Sequence, residues 1–95
     1  RIRYVPCWTA MLAFPERLGL RDTLRPEGHA IGWAARDSSK PGRDASRETW
    51  VVQAAPDFSR THLEETAEAV LPRLLAAFGD LAGQALPDPS YAAAH

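Results

Sequence analysis

Cysteine is almost missing. Cys7 stands alone among 95 residues, which excludes an internal disulfide and any zinc site built on paired thiolates. A reducing compartment, the cytoplasm, is the expected location. Lysine is nearly missing too: one stands against ten arginines, with seventeen alanines, a bias that suggests a GC-rich bacterial coding sequence. No apolar run approaches the roughly 18 residues that a membrane span needs. Neither charge sign is in excess, with 11 basic and 12 acidic side chains, so a basic nucleic-acid arm is excluded. The six glycines fit neither G-x-G-x-x-G nor G-x-x-x-x-G-K-S/T, and no phosphate cradle can be placed in this chain. His29, His62 and His95 form no i, i+4 pair and no H-E-x-x-H, which argues against a metal. The chain opens on Arg1 and closes on Ala92-Ala93-Ala94-His95 without a stop signal, and is expected to be part of a longer protein, a single partial domain over 1–95.

What is present divides unevenly. Residues 1–47 carry nine basic and five acidic side chains, residues 48–95 two and seven, so the basic half can attract an anion or pack beside the acidic half. Alternation over residues 2–14 predicts a first strand with Trp8, Ala10, Leu12 and Phe14 on one face and Cys7, Thr9, Met11 and Ala13 on the other. Residues 15–28 read as an irregular connection held down by Leu18, Leu20 and Leu24. A second strand over 30–36 sets Ile31, Trp33 and Ala35 against Gly32, Ala34 and Arg36, the small residues inviting close approach by a backbone or ligand. Residues 37–48 form a long polar hairpin loop. The third strand, 49–55, sets Trp50, Val52 and Ala54 against Thr49, Val51 and Gln53, and Pro56 ends it.

After Thr61, apolar residues from Leu63 to Leu81 recur at three and four, predicting an amphipathic helix. Thr61-x-x-Glu64 fits a capping box, and Glu64, Glu65 and Glu68 complement the helix dipole. Pro72 implies a kink, or a short turn to about Glu65 with the helix proper starting near Thr66. Gly79 and Gly83 are candidate stops, and 86–90 reads as an extended linker.

No catalytic set is visible. Cys7 sits among apolar strand residues, where a thiol is inert packing, and the three histidines read as exposed or capping residues. Of the three tryptophans, Trp33 is the one placed to face a pocket, because its strand runs directly into Arg36, Lys40 and the rest of a charged loop.

The stretches from Tyr4 to Phe14, from Ile31 through Trp33, Arg36 and Lys40 to Arg43, and from Glu48 to Ala54 together resemble the middle of the renalase-like, FAD-dependent amine-oxidase-type oxidoreductases. His95 resembles the start of the strand that leads such proteins back to their flavin domain. The resemblance implies that a Rossmann-type domain outside this chain binds FAD, and that this chain roofs the substrate site. Hydride would then pass from an amine or dihydronicotinamide-type substrate to the flavin and on to oxygen. Trp33, Arg36, Lys40 and Arg43 become the substrate-binding candidates, the cations facing phosphates of a dinucleotide substrate.

The expected fold is α+β: a three-stranded, mainly antiparallel sheet with a C-terminal helix on one face, the other face left for the flavin domain. Excised, that bare face is expected to drive homodimerisation. The alternative function is a non-catalytic protein-interaction module descended from such a domain.

Overall fold

The computed structural model describes residues 7–37 and 48–95. Its elements run β1 (Thr9–Phe14), β2 (Thr23–Leu24), β3 (Ile31–Arg36), β4 (Glu48–Ala54), α1 (Pro56–Thr61), α2 (Ala67–Ala82) and β5 (Tyr91–Ala94). The strands form one five-stranded sheet in the order β2-β3-β4-β1-β5, every pair antiparallel. The expectation of three strands and a C-terminal helix is therefore corrected. Two strands are added at the edges, and the helix is internal to the chain. Because β4 and β5 both pair antiparallel to β1, they run parallel to each other. The two helices form the crossover between them.

Alternation organises the sheet. On the inward face Ala10, Leu12 and Phe14 of β1 and Trp50, Val52 and Ala54 of β4 are all buried, joined by Ile31 and Ala34 of β3. Outward-pointing Thr9, Met11, Ala13, Trp33, Ala35, Thr49, Val51 and Gln53 include no buried residue. The first strand was expected over 2–14, of which residues 1–6 lie outside the described ones. Within β3 the expected faces need one correction: the register shifts between Ile31 and Trp33, so Ile31 shares the inward face with Ala34 and Arg36. Gly32 takes up the irregularity, and a Cβ there would stand 3.4 Å from the Ala55 Cα. A backbone, not a ligand, makes the close approach.

Val70, Leu74 and Phe78 recur every four residues along α2 and are wholly buried against this inward face. Phe78 packs on Trp50 with ring centroids 5.2 Å apart. The helix begins later than a Thr61 cap would place it. Thr61 closes α1, its hydroxyl donating to the Asp57 carbonyl at 2.9 Å, and Thr66 caps α2 by accepting from the Ala69 N–H at 3.1 Å. Gly83 ends α2 in the left-handed conformation (φ 70°), where glycine carries no Cβ penalty. Past the extended stretch, Ser90 donates its backbone N–H to the Ala13 carbonyl at 2.7 Å and steers β5 onto the edge of β1. Among the described residues no helix is long and apolar enough to cross a membrane.

Pro72 is the sixth residue of α2 and is exposed, where it removes a hydrogen bond to the Glu68 carbonyl and crowds that oxygen. Replacing it restores the bond without touching the core. Pro72→Ala is expected to stabilise the chain by about 1–2 kcal/mol, read as a higher urea midpoint with an unchanged m-value.

Candidate functional site

The β3–β4 end of the sheet carries the sequence-predicted site residues, and the structure separates them. Trp33 lies on the outward face opposite Gln53, whose other neighbour is Thr9; the next row brings Ala35, Val51, Met11 and Ala93 into line. This face carries small and apolar side chains together with threonines and a glutamine. Both described helices lie away from it. Lys40 and Arg43 lie outside the described residues.

Arg36 points the other way. Its residue is 2% exposed, and its guanidinium is held by groups of this chain. Nε donates to both Glu48 oxygens at 3.0–3.1 Å. One terminal nitrogen donates to the Asp22 carboxylate, and the other to the Leu18 and Leu20 carbonyls at 2.9 and 3.1 Å. The guanidinium carbon also sits 4.9 Å from the Trp50 ring centroid. Glu48, itself 4% exposed, accepts further from the Leu18 N–H at 2.9 Å and the Trp50 indole N–H at 3.1 Å. The arrangement is a structural clamp that ties the irregular 15–22 segment to the sheet.

The reading of Arg36 as a phosphate ligand arose from a charged residue next to a charged loop. Its partner, Glu48, falls at the end of that loop in the sequence reading, where alternation does not show the ion pair. The available signal was parity: Arg36 and Glu48 both fall on the inward sets of their strands, and a buried charge needs an opposite partner.

A second constellation, assembled from residues far apart in sequence, lines an open cleft of about 580 Å³ between the chain leading into β3 and helix α1. His29 and His62 both border it. His29 accepts the Ile31 N–H at Nδ1, 3.1 Å, which leaves the proton on Nε2, facing Asp80 at 3.1 Å. His62 meets the Glu65 carboxylate through Nδ1 and lies with its ring centroid 4.4 Å from that of Phe58. Arg73 donates to the other Glu65 oxygen at 3.1 Å. The bond from His62 above all, with Arg73 adding to it, holds the Glu65 carboxyl below its ordinary value of 4.5. Glu65 is thus engaged by its neighbours rather than by a helix dipole, since α2 starts only at Ala67. Among the described residues no group of three metal-ligating side chains occurs. No family model matches the sequence.

Two outcomes follow for stability. Arg36→Met strands a buried carboxylate and is expected to cost about 3–5 kcal/mol, whereas Arg36→Met combined with Glu48→Leu regains only part of that loss, because the Leu18 and Trp50 N–H groups and the Leu18 carbonyl then lose their partners; a denaturation double-mutant cycle measures the difference. For Glu65 the folded pKa is depressed, so its contribution is fully present above the ordinary carboxylate value and fades as pH falls through the lowered one. Glu65→Gln is expected to flatten this acid limb of a melting-temperature profile and to leave its neutral shape otherwise intact.

Proposed function

We propose that the chain is the substrate-side portion of a cytoplasmic FAD-dependent oxidoreductase, its outward sheet face closing over a small-molecule substrate and a flavin held by the protein's own Rossmann-type domain. The observation that carries the reading is the one-sided packing of the sheet. Both described helices serve the inward face, while Trp33 stands on the outward one, within the stretch that most resembles renalase-like oxidoreductases. A tryptophan among small side chains is a suitable wall for a flat, apolar ligand.

The residues present do not fit the cofactor itself. Among the described residues the glycines with positive φ are Gly28, in a loop, and Gly83, at a helix end. The single long helix among the described residues starts from Thr66 after another helix, not from a glycine-rich turn after a strand, which is what a pyrophosphate requires. The role of this chain in the reading is therefore to position substrate and exclude water. With Arg36 committed to Glu48 and Asp22, Trp33 is its principal described contributor.

The test is to purify the product of the complete gene and look for tightly bound flavin by absorbance, then to compare wild type with Trp33→Ala. The expected outcome is retained flavin with KM for an amine or dihydronicotinamide substrate raised about ten-fold. A product without flavin, or a Trp33→Ala protein with unaltered kinetics that fails instead to capture a protein partner of the wild type, supports the interaction-module alternative.

A further inference from the structure

We propose that the cleft bordered by His29 and His62 is a binding site for a small, neutral aromatic alcohol, with His62 Nε2 accepting the hydrogen bond of the ligand's hydroxyl. The site uses no residue of the outward sheet face and requires no flavin, so it stands or falls independently of the oxidoreductase reading.

The argument begins with proton placement. An ionised carboxylate only accepts hydrogen bonds, and the Glu65 carboxyl is held ionised by His62 and Arg73. The neutral His62 ring must then keep its proton on Nδ1, and Nε2 presents a lone pair. No described residue hydrogen-bonds to that nitrogen. It is not a buried orphan either, because every buried side-chain nitrogen or oxygen among the described residues has a partner. Nε2 therefore opens to solvent, on a residue that lines the cleft.

The surroundings select the ligand. His29 spends both ring nitrogens within the chain and offers only a flat wall. Phe58, Pro56, Ala55 and Ala30 add apolar surface, and the paired rings of Phe58 and His62 suit an aromatic body. The Thr61 hydroxyl already donates to Asp57, so it too can only accept. The nearby carboxylates are already matched: Asp57 with Arg60 at 2.8 Å, Glu65 with Arg73 and His62, and Asp80 with His29. Asp57 and Glu65 each already hold an arginine, Asp80 does not line the cleft, and the carboxylates disfavour an anion. What remains is an apolar cleft whose side-chain polar groups accept, with a volume in the range of small-ligand pockets. A flat neutral molecule carrying an O–H donor meets those terms.

Phenol is the probe and anisole, with the same ring and no O–H, its control. Ring-nitrogen and amide NMR spectra are recorded at a pH where the imidazoles are neutral. Phenol is expected to shift the His62 Nε2 resonance and the Phe58 and Ala30 amides saturably, with anisole binding roughly five-fold more weakly. Glu65→Gln, which no longer dictates the tautomer, is expected to weaken phenol by roughly the same factor. The proposal is overturned if phenol produces no saturable shift, if anisole binds as well as phenol, or if the free protein carries the His62 proton on Nε2.

Discussion

One guanidinium has to be kept satisfied away from water, and much of this structure is arranged around it. Arg36 ends β3 and Glu48 begins β4, both on the inward face. Neither charge is tolerable there without the other, and neither is fully satisfied by the other alone. The missing partners come from the irregular segment ahead of β2: the carbonyls of Leu18 and Leu20, the Leu18 N–H and the Asp22 carboxylate. Its course is set as much by polar satisfaction as by burial of Leu18. The same node reaches the helix, since Trp50 donates to Glu48, lies against Arg36 and packs on Phe78. Sheet end, wrapping segment and α2 are therefore one cooperative unit.

How far the sequence revealed this depended on the kind of signal each element carries. Strands with strict alternation, β1 and β4, were legible with their faces, because a one-residue slip would turn every apolar side chain outward. The strip formed by Val70, Leu74 and Phe78 was legible for the same reason, at helical spacing. Thr61 misled because it satisfies the cap pattern one short helix too early, and Pro56 read as a stop when it also serves as a helix start. Strands β2 and β5 carried almost no signal. The former has two residues, and the latter is a tyrosine followed by alanines, poor strand formers; its pairing is decided by the free edge of β1, a tertiary fact. The bulge at Gly32 was signalled only as a glycine, which does not say which way the register moves.

The candidate sites divide along the same line. Trp33 can be placed on the face it shares with Ala35 from the sequence alone, because strand parity is local. Arg36 reads as an exposed ligand in the sequence and is buried in the fold, because the identity of a charge does not disclose its burial, and charged residues are seldom fully buried. Taken singly, His29 and His62 read as exposed or capping residues. They share a cleft because Ala55 donates its backbone N–H to the Ala30 carbonyl at 2.7 Å, bringing the chain before β3 beside the start of α1. The charge asymmetry between the halves has a similar resolution. Arg36 with Glu48 and His29 with Asp80 join the basic half to the acidic half, and in both cases the pairing serves packing.

The two sheet faces consequently carry different kinds of information. The inward face holds the hydrophobic core and the Arg36–Glu48 clamp, so any change there acts first on folding, and a loss of binding that followed would report only the loss of the frame. The outward face contributes no fully buried side chain, and the His62 ring is fixed by Glu65 from outside the core. Substitutions at Trp33 or Glu65 therefore leave the clamp and the Val70–Leu74–Phe78 contact in place. Recognition has been separated from stability by geometry: strand alternation puts the core on one side of the sheet, and the crossover through α1 sets the histidine cleft at its end. A functional deficit at either of those two positions can be read as chemistry, whereas one at Arg36 cannot.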